Sequence, residues 1–181
     1  PDEASKGLTR ELYAGYNRNN GSLLSQTPPY VLHREYYEMQ DADILYKDPG
    51  DHVNHFMYLN GLWRNKSESL VHARETQGYE DYIAIMFFAT SVNAVMASDG
   101  SNSSRVRLTV DDAPIKPKSA GRDVMFDENG NSYVLVDESR MYNLLNLSAF
   151  GGHEMMLSSN SPEFSLFAFT FGSYKGGEPD A

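Results

Sequence analysis

The chain has 181 residues, enough for one sizeable core and short for two. Its 15 basic and 25 acidic side chains leave a formal charge of −10, which repels phosphate backbones and anionic bilayers, and no concentrated basic patch argues for nucleic acid. Cysteine is absent, so the chain carries no disulfide framework, thiolate metal site or redox couple of its own.

No apolar run approaches the roughly twenty residues of a spanning helix. The first residue is Pro1, not Met, and no signal-peptide pattern precedes it, as expected of a processed product or an excised domain. Four Asn-x-Ser sequons, at Asn20, Asn65, Asn102 and Asn146, stand against about two expected by chance and are weak evidence for secretion.

Residues 1–20 read as a lead-in segment in which Thr9 caps a short turn of helix with Leu12 and Tyr16 on one side. Ser22 to Pro29 is a polar loop, Tyr30 to Met39 is strand-like, and Asp41 to His52 is a long exposed acidic excursion broken at Pro49-Gly50. His55 to Trp63 predicts a strand, a hairpin turn at Asn60-Gly61 and the start of a second strand. Ser69 to Ala73 is a short strand. Tyr82 to Phe88 is continuously apolar, the pattern of a strand buried on both faces, and Ser91 to Ala97 follows as another. After a Gly/Ser/Asn loop, Arg105 to Val110 alternates cleanly, with Val106, Leu108 and Val110 inward. Asp111-Asp112 starts a turn, and the Pro/Lys connection from Pro114 to Ala120 is unfit for a central strand.

From Val124 the pattern runs strand, Asp127 to Gly130 turn, and strands at Ser132 to Val136, Met141 to Leu147, His153 to Ser158 and Phe164 to Phe171. Ten or so short strands with turns every eight to twelve residues predict an all-β fold, a sandwich or barrel, across residues 21–172. Residues 173–181 read as a flexible tail.

Several short motifs, in order, carry a family resemblance. They are Leu12-Tyr-Ala-Gly-Tyr16, Leu59-Asn-Gly-Leu-Trp63, Phe87-Phe-Ala-Thr-Ser-Val-Asn-Ala-Val-Met96 and Thr109-Val-Asp-Asp-Ala-Pro114. Gly121-Arg-Asp-Val, Asp127 to Gly130, Arg140-Met-Tyr142 and Ala168-Phe-Thr-Phe-Gly172 complete the set. In register they resemble the carboxy-terminal module behind the thioredoxin-like domain of DipZ-type thiol-disulfide proteins. The resemblance implies an antiparallel β-sandwich of jelly-roll type, similar to carbohydrate-binding modules, outside the cytoplasm and beside a thiol-redox domain. Asp112 departs from the family's turn Gly, and Asp41 to Asp51 is an acidic insertion.

Asp123, Asp127, Asn129 and Asn131 are oxygen-rich, but Val136 stands where a calcium loop needs Glu, and a hairpin turn is the simpler reading. His52-x-x-His55 would share a helix face, yet here it enters a strand, so two solvated loop histidines are expected and no metal or cofactor is assigned. Trp63, Tyr13, Tyr16, Tyr133 and Tyr142 are candidates for a platform on which sugar rings stack; the alternative is core packing. Asp123 and Arg140 are its polar candidates, or else an ion pair fixing two loops.

No nucleophile elbow, P-loop or dinucleotide fingerprint is present. The expected function is therefore a non-catalytic module that binds a glycan or small ligand through Tyr16, Trp63, Asp123, Arg140 and Tyr142. Docking onto a thioredoxin-like domain or other protein is the alternative, and a hydrolase the third.

Overall fold

The computed structural model of the chain describes residues 7–19, 29–100 and 103–173. In chain order the strands are β1 (Leu12–Tyr13), β2 (Asp43–Tyr46), β3 (Met57–Asn65), β4 (Leu70–His72), β5 (Tyr82–Ser98), β6 (Ser104–Val110), β7 (Ala113–Pro114), β8 (Met125–Phe126), β9 (Ser132–Val136), β10 (Arg140–Ser159) and β11 (Phe164–Gly172). Short 3-10 turns occupy Arg34–Tyr37 and Pro117–Ser119. Every pairing between these strands is antiparallel. No helix among the described residues is long and apolar enough to cross a membrane.

Two long strands organise the sandwich. Over Tyr82 to Ile85, β5 pairs with β3 on one side and with the second half of β10 on the other. Over Ser91 to Ser98 it pairs instead with the first half of β10 and with β11. The change falls where Asn146 and Gly151 of β10 face Ser91 and Ala89 of β5, leaving residues 147–150 opposite Thr90. Extra residues on one strand bend the pair, and bending is how a strand passes from one layer of a sandwich to the other. One layer continues from β10 through β6 to β9 and β8; the other continues from β11 to β1. Trp63, Tyr36, Tyr142, Phe87, Phe164 and Phe169 fill the space between them.

The all-β, jelly-roll expectation holds, and the differences lie in local geometry. Tyr82–Phe88 and Ser91–Ala97 are one strand, not two, as are Met141–Leu147 and His153–Ser158. The expected helical turn after Thr9 is extended chain: Leu12 and Tyr13 pair with Phe169 and Ala168, and the Thr9 hydroxyl oxygen accepts the Phe88 amide at 2.8 Å. Tyr30–Met39 supplies a single bridge, from Val31 to Met57, and then the Arg34–Tyr37 turn. The acidic excursion contains β2, whose Ile44 and Tyr46 are buried. Most of the Ser22–Pro29 loop lies outside the described residues, as does the tail beyond residue 173. The sequon residue Asn65 is fully buried and donates through Nδ2 to the carbonyls of Tyr36 (2.8 Å) and Met39 (2.6 Å), so the folded chain offers no glycan acceptor there.

Asn60-Gly61 makes no hairpin. Gly61 lies inside β3 with φ +94°, and a Cβ on it would come within 2.0 Å of Asp81 Cγ. The strand kinks there so that a buried carboxylate can sit against its backbone. Asp81 Oδ2 accepts the Leu62 amide (3.1 Å), Arg74 Nε (2.7 Å) and His72 Nε2 (2.9 Å); Oδ1 accepts Arg74 Nη2 (2.6 Å). His72 Nδ1 donates to the Ser161 carbonyl at 2.7 Å, which draws in the turn before β11. Burial alone would raise the Asp81 pKa, but the bonds from Arg74, His72 and Leu62 outweigh it and hold the pKa below the usual carboxylate value.

Asp81→Asn is expected to cost about 3 kcal/mol, the lower end for a broken buried pair because Arg74 is partly exposed. Gly61→Ala should cost at least as much, since both φ and the carboxylate oppose a Cβ. Urea unfolding checks both. Because the folded-state pKa of Asp81 is depressed, the stability it contributes is present above about pH 4 and is lost as pH falls through the folded-state value.

Candidate functional site

Three of the five sequence-selected residues come together, and two do not join them. Arg140 Nη1 lies 3.1 Å from Asp123 Oδ1, and its guanidinium covers the Tyr142 ring at 3.8 Å. Asp123 Oδ2 accepts the Asn143 amide at 2.7 Å, tying the Gly121–Val124 turn to β10. The Tyr142 hydroxyl donates to the Glu138 carbonyl at 2.9 Å, and its ring is fully buried. This is the ion pair that fixes two loops, with a guanidinium already occupying the ring face a sugar would need. Tyr133 is covered in the same way by Arg105 at 3.7 Å, and Tyr13 by Arg18 at 4.6 Å.

Trp63 is fully buried between His72 and Phe164, with Nε1 donating to the Asn60 carbonyl at 2.9 Å. It is core and presents no face to solvent. Tyr16 is half-buried, its hydroxyl donating to Asp41 Oδ2 at 3.1 Å. The Asp127 turn is structural as well: Oδ1 accepts the amides of Asn129 and Asn131, both at 2.9 Å, and Gly130 takes φ +78°.

A different set of residues surrounds a depression of about 390 Å³ on the outer face of the first layer. The register of β5 and β10 sets Phe88 opposite Gly152 and Met86 opposite Glu154, and the pleat sends all four toward the same side. A Cβ on Gly152 would meet Phe88 Cε1 and Cζ at 2.8 Å, so the ring lies down across the glycine. Tyr82–Phe88 is therefore not buried on both faces: Ile83, Ile85 and Phe87 point into the core, while Met86 and Phe88 are half-buried.

Asn54 and the hairpin residues Asp111 and Asp112 complete the rim. Asp111 and Asp112 have φ +51° and +62°, the tight two-residue turn that joins β6 to β7. Asp tolerates the left-handed region, so the turn forms without glycine and carries two carboxylates. Asp111 Oδ1 accepts the Glu154 amide (3.0 Å), and Oδ2 lies 2.7 Å from His153 Nδ1.

Behind Glu154 sits His52, which is not a solvated loop residue. Its side chain is 6% exposed and its ring stacks on Tyr58 at 4.2 Å. Nε2 lies 2.7 Å from Asp48 Oδ1 and Nδ1 bonds to Glu154 Oε1. Asp48 Oδ2 accepts the Tyr82 hydroxyl at 2.6 Å. Burial alone would lower the His52 pKa, but the two carboxylates outweigh it and raise the pKa above the usual imidazole value. His55 turns instead to Thr9, with Nδ1 3.0 Å from its hydroxyl oxygen. The Phe87-Phe-Ala motif contained Phe88 without saying which of the two rings faces out. Only strand register separates them.

The raised pKa of His52 gives a definite sign. Its contribution to stability is complete below about pH 6.5 and fades as pH rises through the folded-state value. The difference in urea midpoint between the wild type and His52→Gln should therefore narrow from about pH 6 to pH 9. A constant difference would contradict the charged clamp. Trp63→Ala should destabilise by about 3–5 kcal/mol in the same assay, as expected for a buried aromatic.

A family model described as thioredoxin like C-terminal domain matches residues 9–172. No curated protein sequence matches the chain. Similar solved structures include a family two carbohydrate esterase from Cellvibrio japonicus, with TM-score 0.48 and 15% identity over 74% of this chain and 34% of that one. Another is a family two carbohydrate esterase from Clostridium thermocellum in complex with cellohexaose, with TM-score 0.42 and 14% identity over 58% of this chain and 27% of that one. The chain spans about a third or less of the length of those proteins. The family match takes in every strand from β1 to β11, and the chain belongs to the family of thioredoxin-like C-terminal domains, an accessory β-domain.

Proposed function

We propose that this domain is a non-catalytic glycan-binding module of an extracytoplasmic thioredoxin-like redox protein, and that the Phe88 depression is its binding site. The observation that carries the reading is the Phe88 ring lying across Gly152 with Asn54, Asp111, Asp112 and Glu154 around it. Sugars present C–H faces to a flat ring and hydroxyl donors to carboxylates and amides, so one aromatic surface inside an acidic rim suits them. The volume lies within the roughly 300–1,000 Å³ typical of small-molecule sites. Asp111 is engaged by His153 and the Glu154 amide, and Glu154 by His52, which suits orienting hydroxyls and not exchanging protons with a substrate. This site replaces the five residues expected from sequence, because the faces of Trp63 and Tyr142 are taken up by core and guanidinium.

A second reading, docking against a neighbouring domain, draws on one observation. Leu45 is 68% exposed on β2, which among the described residues pairs only with β3, and Met39 and Val53 are each 55% exposed. Calorimetric titration with oligosaccharides selected on a glycan array separates the two. The glycan reading expects saturable binding that Phe88→Ala weakens by about tenfold or more, with the thermal midpoint little changed because the ring is half outside the core. Leu45→Glu should leave that binding intact. No saturable sugar binding, or binding indifferent to Phe88→Ala, would overturn the reading and leave docking in its place.

A further inference from the structure

We infer that the ligand is an acidic oligosaccharide, held in one direction by a trough whose two ends differ in charge; this rests on the glycan reading above. A second depression, of about 420 Å³, lies beside the first, and Asp111 and His153 line both. Beside the β6–β7 turn, at Asp111 and His153, the two depressions adjoin in the proposed trough. Its far half has an apolar floor formed by Pro114, Ile115, Leu145 and Leu147, which come from the β7 connection and from the point where β10 leaves one layer for the other.

The two halves offer opposite chemistry. Around Phe88 the rim bears Asp111, Asp112 and Glu154, which welcome hydroxyl donors and repel a carboxylate on the ligand. The far half is bordered by Lys116 and Lys118. Among the described residues, no carboxylate lies within ion-pairing distance of either ammonium group. Asp111, the acidic residue nearest in sequence that also lines this half, is already bonded to His153 and to the Glu154 amide. The chain's overall charge of −10 opposes an acidic ligand only weakly at contact range, because salt screens charges beyond about 8–10 Å.

The Pro114–Ala120 connection therefore does more than join two strands. Pro117 starts the 3-10 turn that carries Lys118, and the Ile115 amide donates to Ser132 Oγ at 2.9 Å, which fixes the backbone between the two lysines and β9. A linear glycan of two or more rings would place a neutral ring over Phe88 and a uronate ring, or a comparably acidic one, between Lys116 and Lys118. Reversal would set its carboxylate against Asp112 and Glu154.

The test uses arrayed oligosaccharides in matched pairs, each with one uronate ring among neutral rings beside its methyl ester, followed by calorimetry with glucuronosyl-xylotriose and its methyl ester. The wild type should prefer the acid by about tenfold, the sum expected of two exposed charge contacts. The double variant Lys116→Gln/Lys118→Gln should bind acid and ester alike, with the ester's affinity and the thermal midpoint unchanged. Equal binding of acid and ester by the wild type overturns the inference while leaving the glycan reading standing, as does a preference that survives in the double variant. Binding of neither form by the wild type overturns both.

Discussion

The fold depends on β5 and β10 remaining paired through a change of layer. A sandwich whose layers were joined only by loops would let each sheet set its own position. Here one antiparallel ladder runs through both, interrupted at Thr90 by the extra β10 residues 147–150. The interruption also sets the position of the proposed site. It puts Leu145 and Leu147 on the floor of the lysine-lined depression and brings Gly152 under Phe88 a few residues later. The candidate site lies where the geometry of the sheet is least regular, which is where a half-buried ring and unpaired side chains are tolerated without opening the core.

Most charged residues of the described chain serve the scaffold, and they do so in a consistent manner. Asp81 gathers a β3 amide, a β4 imidazole and the Arg74 guanidinium at one kink. Arg140 and Asp123 lock a turn onto β10, and Arg140 and Arg105 lie over tyrosine rings. His52 joins the Asp48 loop to Glu154. Asp81 and the His52–Asp48 pair are hydrogen-bonded charges in a protected setting, where removing one partner leaves an unmet group and costs more than the contact seems to warrant. Lys116 and Lys118 stand outside that pattern, and that contrast gives them their interest.

The sequence made the all-β class, the short strands β4, β6 and β9, and the Asp127 turn legible, because alternation and turn chemistry are local signals. It misled at Asn60-Gly61, where the dipeptide that best marks a hairpin instead makes room for a carboxylate twenty residues away. No local pattern encodes that approach. His52 looked solvated for the same reason: its partners are Asp48 and Glu154, the second of them about a hundred residues distant. Arg140, Asp123 and Tyr142 were recognisably coupled, since an ionic residue inside a motif needs a partner, but their coupling serves structure. Phe88 and Glu154 could not be singled out, because a continuous apolar run hides which residues face outward. The β5–β10 register decides it.

Trp63 is the chain's only tryptophan, and it lies at the meeting of β3, β4 and β11, with its indole N–H already bonded. Intrinsic fluorescence is therefore a local spectroscopic reporter of that junction. It is dry and anchored in the folded chain, and remote in sequence from both halves of the trough. A shift of its emission to longer wavelength signals water reaching the Asp81 kink, whatever occupies the surface.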